Sequence, residues 1–595
     1  MAVTTKNTLI NYNDAKTLEL DIIKHNPPSK GTRALANMIQ RLKFFGVVPA
    51  GPTREFHHVY ATGKDDYQEM QDSIRFLGQW LETSSEIHDT AQDKMEAEEY
   101  YAKSTEKVLV DGKEINCFAP YNPQYSAIKT ITPAQTVTIV ILLLGWAVAL
   151  MLWGITTIII SIGLLTAIYA GDALIHAFLA TRMVGDTPET HIDDRVVEAL
   201  TYSEWPTYTV LCPLYKETEV VPQFVQSMLA MDYPVDKLQI LFLTEEDDTE
   251  TRNALLAMKL PNHFHVITVP DGQPRTKPRA CNYGLLQATG KFVVIYDAED
   301  IPDPLQLKKA VLTFAKQGED TACVQAKLNF YNPAQNILTR WFAMEYSLWF
   351  DVLLPGLQWM RFALPLGGTS NHFRIAHLRK VGAWDPYNVT EDCDLGLRLA
   401  GYRFRTAMLD STTYEEANPN FKNWIRQRSR WIKGYMQTYL THMRNPVRYI
   451  RQNGWRGFLS LQFVIGAKSV MLLTNPLLWI MFLMYILFRT DVSSLYHVLY
   501  PAPTFYASVV SLVFGNFLFL YMALLGAAKR GTYWLVKWAL LAPVYWAIMS
   551  IAAAVAAWQL VTKPHYWEKT KHGLHLKKQQ QHMQEQQLNL ATEAI

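Results

Sequence analysis

The sequence predicts an α/β domain held between membrane-spanning helices, with a small helical segment ahead of both. Three observations lead there. Residues 134–171, 469–488 and 505–528 carry no charged side chain. Between the first two of these runs, 182–443 alternates short apolar runs with helical patterns, as βα units do. Two of its strands end in acidic clusters, and open α/β sheets bind ligands at the carboxyl ends of their strands.

Composition supports this division. The 595 residues are 49% hydrophobic and only 18% charged, where a soluble chain carries about 25% charged residues. The net charge of +2 and the lack of a basic, aromatic-interleaved patch exclude a nucleic-acid partner. Cys117, Cys212, Cys281, Cys323 and Cys393 are scattered without metal-ligand spacing, as reduced packing residues of a cytosol-facing protein would be. The first residues are polar and lack the basic-then-apolar layout of a signal peptide.

Residues 1–130 are polar and of mixed charge, with helical spacing over 35–45, 67–81 and 85–101. They fit a regulatory or docking domain, or a helical cap on the main body. A spanning helix needs about 20 residues, so the 38 uncharged residues of 134–171 make two, turning near Gly154. In the α/β region, strands are predicted at 207–214, 238–244, 263–269 and 291–296, a helix at 219–231, and a short strand at 404–407 ahead of Tyr414-Glu415-Glu416-Ala417. After Asn445-Pro446, a basic amphipathic stretch runs to Lys468, followed by spans at 469–488 and 505–528. Lysines 563, 569, 571, 577 and 578 favour a cytoplasmic tail. An even number of spans must then follow the α/β domain, so 533–562 is expected along the membrane interface. The segments are therefore 1–130, 134–180, 182–444, 445–562 and 563–595.

Five groups carry the chemistry. Asp297-Ala298-Glu299-Asp300 offers hard oxygen ligands at a strand end, suited to Mg²⁺ or Mn²⁺ with a diphosphate, or forms a solvated acidic turn. Arg275, Lys277 and Arg279 precede a helix, where cations and a helix N-terminus favour phosphate; a solvated basic loop is the other reading. Gly367-Gly368-Thr369-Ser370-Asn371 lets backbone approach a ligand closely, or simply turns. Thr390-Glu391-Asp392, with Asp394, opens a helix at 395–400. One carboxylate suffices for an N-cap, while a general base for a sugar hydroxyl needs another. Gln427 and Trp431 lie four apart on one helix face, with Arg430 able to clamp a diphosphate. An amphipathic helix with a basic outer face fits the same spacing.

In this order, Glu245/Glu246, the Asp297 cluster, Thr390-Glu391-Asp392 and Gln427-x-x-Arg430-Trp431 resemble the processive, membrane-embedded inverting glycosyltransferases of family 2. The set resembles bacterial cellulose synthase and, more closely, the curdlan-type and related β-glucan synthases, over about 130–575. The resemblance implies a GT-A domain with a Rossmann-like mixed sheet at 182–444, UDP-glucose as donor and a growing polysaccharide as acceptor. Asp392, beside Glu391, would be the general base. Glu217, Glu245, Glu246, Lys277, Asp297, Gln427 and Arg430 would contact the nucleotide sugar, and Trp567, Lys569 and Thr570 would close over it as a gating loop. Thr390, Gly368, Thr369 and Trp431 would meet the acceptor, and Asp297, Glu299 and Asp300 would hold the metal.

It also implies a multi-pass protein of the inner (plasma) membrane, with the catalytic domain and both termini cytoplasmic. Further partners would be the bilayer and either export subunits or a second copy of the chain. A β-1,3 linkage is the first expectation; an N-acetylhexosamine polymer and transfer to a lipid are the alternatives. A binding subunit that has lost catalysis is disfavoured by the intact Asp392 and Gln427/Arg430/Trp431. Three features depart from the family. Glutamates stand at 245 and 246 where aspartate is usual, the metal motif reads Asp-x-Glu-Asp, and no C-terminal domain is large enough to bind a cyclic dinucleotide.

Overall fold

The computed structural model describes residues 64–86, 91–105, 108–110, 113–115 and 125–566 apart from 186 and 202, with positions 13 and 16 besides. The helix expected at 35–45 lies outside them, as do Trp567, Lys569 and Thr570. The second and third expected helices correspond to α1 (Lys64–Glu86) and α2 (Ala91–Thr105), followed by a hairpin of β1 (Val108–Val110) and β2 (Lys113–Ile115). Leu77 and Leu81 of α1 are fully buried in the same apolar cluster as Val197 and Leu200. This part of the N-terminal segment therefore shares the core of the α/β domain.

That domain is built on an eight-stranded mixed sheet in the order β5-β4-β3-β6-β9-β8-β10-β7. Its strands are β3 (Tyr208–Leu214), β4 (Leu238–Glu245), β5 (Phe264–Val269), β6 (Phe292–Ile295), β7 (Ile301–Pro302), β8 (Thr321–Phe330), β9 (Asn371–Arg374) and β10 (Arg405–Glu415). Strands β5, β4, β3 and β6 are parallel, β9 runs antiparallel between β6 and β8, β10 is parallel to β8, and β7 closes the edge antiparallel. The near-continuous apolar runs of β3, β4 and β6 follow from burial on both faces. One face packs on Phe224, Leu307, Val311 and Phe314, the other on Leu285, Leu378, Trp384 and Leu395.

Strand β10 corrects the short strand expected at 404–407: it continues through Glu415. Its polar middle hides it in the sequence, because Asp410, Ser411 and Thr413 have buried partners. Asp410 pairs with Lys327 of β8 at 2.9 Å, Ser411 donates to Asp303 at 2.9 Å, and Thr413 shares a hydrogen bond with Ser370 at 2.7 Å.

The helices that position the site follow from local signals. α3 (Pro133–Trp153) starts on a Thr132/Gln135 capping box with Pro133 at its first position. Gly154, at φ 50°, ends it and starts α4 (Ile155–Met183). Within the domain lie α5 (Lys277–Leu286), α6 (Ile337–Leu348), α7 (Glu391–Gly401) and α8 (Phe421–His442). After it come α9 (Pro446–Ser460), α10 (Ala467–Leu487), α11 (Ala502–Lys529) and α12 (Ala542–Thr562).

Among the described residues, five helices are by length and composition able to cross a membrane: α3, α4, the continuous Pro446–Leu487 segment, α11 and α12. Arg530, just past α11, pairs with buried Asp351 and donates to Leu328 O at 2.9 Å, tying the apolar helices to β8. Helix α12 touches the α/β domain at both ends. Tyr545, near its start, bonds Glu345 and Arg428. Just past its end, Lys433 donates to Tyr566 O at 2.7 Å and Gln437 to Pro564 O at 2.8 Å. Between these ties, Ala552, Ala553 and Ala556 pack on Ile432 and Met436 of α8.

Candidate active site

The site forms where all five predicted groups converge. Lys277 is the first residue of α5, and Asp297 follows the end of β6. Its ammonium lies 2.5 Å from Asp297 Oδ1 and donates to Gly368 O at 2.7 Å. The basic segment, the acidic turn and the Gly-Gly loop therefore meet on one lysine. The Thr369 hydroxyl donates to Asp300 and to Ile295 O, and Asp300 Oδ2 also accepts from the Asp297 amide at 2.7 Å. Asp300 thus fastens the turn from beneath.

Glu391 and Asp392 occupy the first turn of α7. The Thr390 side chain makes no capping bond to that helix. Asp394 is buried against Arg398 at 2.7 Å and His442 at 3.0 Å, which ties α7 to α8. Further contacts hold α8 against the loop before α7. Gln437 Oε1 accepts from Val389 N at 3.2 Å, and Asn388 Nδ2 donates to Thr438 at 2.9 Å. Gly434 lies against Thr390, leaving no room for a side chain. α8 thereby presents Gln427, Arg430 and Trp431 to the carboxylates. Arg428, between them, is committed elsewhere: it donates to Glu345 at 2.9 Å and lies 4.7 Å from the Trp431 ring centroid.

These residues line one cavity of about 880 Å³. Glu217, Glu245, Lys277, Asp297, Glu299, Gly368, Thr369, Thr390, Glu391, Asp392, Gln427, Arg430 and Trp431 all border it. Of the described candidates, Glu246 and Asp300 do not; Glu246 instead accepts from the Asp271 amide at 2.9 Å. The cavity does not end at the sheet. It continues between α4, α10, α11 and α12, past Tyr169, Asn475, Ser508 and Trp546. Sequence reasoning assigned no role to Glu415, which also borders the cavity and whose buried Oε1 has no hydrogen-bond partner. Its signal was positional: like Glu245, it is a carboxylate at the end of a strand.

Burial dominates the electrostatics. It pushes Asp392 up to about 6, against the opposing pull of the Cys393 amide, Lys277 and Arg430. Burial and then the Asp392 charge raise Glu391 to about 8. Burial raises Glu245 to about 7, although Arg279 lies 3.2 Å away. Glu415 is pushed well above the carboxylate range by burial and by Asp300, Glu299 and Asp297. Burial works against the Lys277 ammonium, but Asp297 and Glu391 outweigh it and hold its pKa above the ordinary lysine value. Desolvation lowers Arg430, with Glu391, Asp297, Asp392 and Glu299 opposing.

Among the described residues, no three His, Cys, Asp or Glu side chains converge as a metal cage. Mg²⁺ seldom needs one, because one or two carboxylates plus substrate phosphates usually hold it. Asp297 and Glu299, both on the cavity wall, fit that arrangement.

Residues 206–434 match the family described as Glycosyltransferase like family 2. The match and the mixed sheet together identify this segment as a family 2 glycosyltransferase domain of GT-A fold, flanked by several apolar helices. The chain is similar to a probable glycosyltransferase, YdaM, of Bacillus subtilis (strain 168), 29% identical over 39% of this chain and 56% of the relative. It is 24% identical to probable glucomannan 4-beta-mannosyltransferase 10 of Arabidopsis thaliana, over 43% of this chain and 48% of that one. It is 25% identical to the beta-monoglucosyldiacylglycerol synthase of Synechocystis sp. (strain ATCC 27184 / PCC 6803 / Kazusa), over 49% and 61%. The chain thus spans about half the length of these curated relatives.

Proposed function

We propose that this family 2 glycosyltransferase domain serves a processive, inverting synthase. It transfers glucose from UDP-glucose to the non-reducing end of a β-linked glucan, first of all a β-1,3-glucan, and feeds the chain into the membrane helices. One observation carries this reading: the cavity that holds Asp392 and Trp431 is the same cavity that continues past Tyr169, Asn475 and Ser508. A polymer grown at the carboxylates has somewhere to go. The glucomannan mannosyltransferase likeness supports a β-linked polymer as product.

The reaction follows from the groups present. The acceptor hydroxyl, oriented over Trp431 and the Gly368 backbone, gives its proton to Asp392. Its oxygen attacks the donor anomeric carbon as the bond to the diphosphate oxygen breaks. Attack opposite the leaving group inverts the α-linked sugar into a β-glycoside. A base works best when its pKa lies near the operating pH, which suits Asp392 at about 6. Glu391, raised to about 8, stays protonated at neutral pH and spares Asp392 a second negative charge. Lys277 and Arg430 take up the charge of the departing diphosphate. Asp297 and Glu299 would hold Mg²⁺ or Mn²⁺, which when bound neutralises the same diphosphate.

The contacts at both ends of α12 support an interfacial course for that helix, despite its length, and hence four spans with the domain and Tyr566 on one side. Lys433 on α8 grips Tyr566, so the segment holding Trp567, Lys569 and Thr570 starts beside the motif helix. Closure of that segment over the bound nucleotide is part of the same proposal.

A second reading has its own support. Much of the cavity wall between the helices is apolar, including Leu472, Phe482 and Leu512, and one relative is named for a diacylglycerol product. Transfer of one sugar to a lipid would use the same base. A donor panel separates the readings. Purified protein receives labelled UDP-glucose, UDP-N-acetylglucosamine or UDP-galactose with Mg²⁺, and any polymer is digested with linkage-specific glucanases. A polymer from UDP-glucose alone, cut by a 1,3-glucanase, supports the proposal. A polymer from UDP-N-acetylglucosamine moves it to the N-acetylhexosamine class, and a singly glycosylated lipid overturns the processive part.

A further inference from the structure

Glu415 is the last residue of β10 and only 8% exposed. Its backbone serves the fold, the carbonyl accepting from Tyr331 N at 3.1 Å. Its side chain does not. Among the described residues the carboxyl makes no ion pair, and its buried Oε1 has no hydrogen-bond partner. Tyr414, one residue earlier, pairs with Ile301 of β7, so Glu415 comes level with the end of the acidic turn 297–300. Beyond burial itself, Asp300, Glu299 and Asp297 act on it most. A buried, unpaired carboxyl among like charges costs the folded protein stability. A residue kept at such a cost in a cavity wall points to a ligand.

A second group joins it. Tyr346 of α6 borders the same cavity, and its hydroxyl has no hydrogen-bond partner among the described residues. Phe330 and Phe342 hold its ring, with centroids 4.3 Å and 5.0 Å away. Beyond burial, Glu415 is the charge that acts on it most.

The order of the strands decides what meets this pair. Glu245 ends β4, Asp297 follows β6 and Glu415 ends β10, and the sheet runs β4-β3-β6-β9-β8-β10. A diphosphate at Lys277 and Asp297 therefore has the nucleoside on one side and the sugar on the other. The general base marks the side of the sugar. Gly368, just ahead of β9, lies so near Asp392 that a methyl group there would sit 3.4 Å from Oδ2. Strand β9 adjoins β6 on the side of β10. The anomeric carbon has to meet Asp392, so the sugar lies toward Glu415 and the nucleoside toward Glu245.

We propose that the Glu415 carboxyl, together with the Tyr346 hydroxyl, binds a hydroxyl group of the donor hexose and so selects which sugar is transferred. This contact rests on the UDP-glucose reading above. A sugar hydroxyl donates to the carboxyl oxygen that the fold leaves unpaired, which a phosphate oxygen, with no proton to give, does not. A donor lacking that hydroxyl leaves the carboxyl buried and unpaired again, and sites built this way reject such analogues strongly. The terminal sugar of the acceptor offers the same chemistry, so the test reads donor binding with no acceptor present.

Calorimetry on the full chain in nanodiscs with Mg²⁺ makes the test. Asp392→Asn is the parent, so that no donor is consumed. The ligands are uridine diphosphate, UDP-glucose and its analogues deoxygenated at C3, C4 or C6. In the parent, one analogue is expected to bind about tenfold more weakly than UDP-glucose, the scale of one lost hydrogen bond to a buried group. Adding Glu415→Leu should weaken UDP-glucose by a similar factor, abolish that discrimination and leave uridine diphosphate binding unchanged. Glu415→Gln, which keeps an acceptor oxygen and nearly the same shape, should lose less. Unchanged UDP-glucose binding in both variants overturns the contact and leaves the acceptor sugar as the ligand. Equal loss of uridine diphosphate and UDP-glucose binding in both variants places Glu415 with the metal and diphosphate and overturns it too. A parent that binds UDP-glucose no more tightly than uridine diphosphate overturns the UDP-glucose reading first, and the contact with it.

Discussion

Gly434 on α8 lies directly against Thr390, ahead of α7: a methyl group at 434 would sit 2.4 Å from Thr390 Cγ2 and 2.5 Å from its hydroxyl. The helix carrying Gln427, Arg430 and Trp431 reaches the carboxylates because position 434 has no side chain. Gly434→Ala is expected to push the two elements apart, destabilising the domain by about 1–3 kcal/mol. Transfer should fall more than the fraction of folded protein does. A thermal melt paired with donor turnover checks this; unchanged turnover would mean that the spacing of α7 and α8 does not govern the site.

Gly434 also marks where sequence reading stopped. Side chains four apart on a helix are visible in a sequence; the gap that a helix needs to approach a loop is not. The buried strands β3, β4 and β6 were legible because their apolar runs are nearly continuous. Most of β10 was not, since Asp410, Ser411 and Thr413 find partners only after β8 and the loops are in place. The carboxylates at strand ends were legible as clusters, yet which of them face the cavity depends on bonds such as Thr369 to Asp300. The uncharged runs stop at Gly171 and start again at Ser469, so Asp172 and Lys468 read as boundaries. Their pairing appears only when α4 and α10 pack together.

Asp392→Asn is expected to lower transfer by at least a hundredfold, within the range of about 10²–10⁴ that a positioned base contributes. Binding of uridine diphosphate should persist, because Lys277, Asp297 and Arg430 remain. Calorimetric binding alongside single-turnover transfer makes the comparison. Transfer near the wild-type rate would mean that another group is the base.

The pH dependence has a definite sign. As the proposed base, Asp392 has to be ionised, so the rate should rise with pH through about 6. Stability should move the other way. The folded pKa lies above the ordinary 3.8, so between these values the folded state holds a proton that the unfolded chain has lost. Stability therefore declines as pH rises through that window and does not recover above it. Asp392→Asn should melt higher than wild type at pH 8 and match it near pH 4. Equal melting temperatures at pH 8 would show that burial of this carboxylate carries no such penalty.

Metal removal gives a further check. Treatment with EDTA is expected to stop transfer, and added Mg²⁺ or Mn²⁺ to restore it. Glu299→Gln should raise the metal concentration needed for half-maximal activity. Full activity after chelation would take Asp297 and Glu299 out of that role.

The central claim is that one cavity links Asp392 to the space between the membrane helices because the product travels through it. Its most direct test is protection of the product in sealed proteoliposomes. Donor is supplied only to the face carrying the glycosyltransferase domain, and β-glucanase is then added outside with or without detergent. The account predicts a labelled polymer that resists the enzyme until detergent opens the vesicle. A polymer digested without detergent, or label found only in a singly glycosylated lipid, would contradict it.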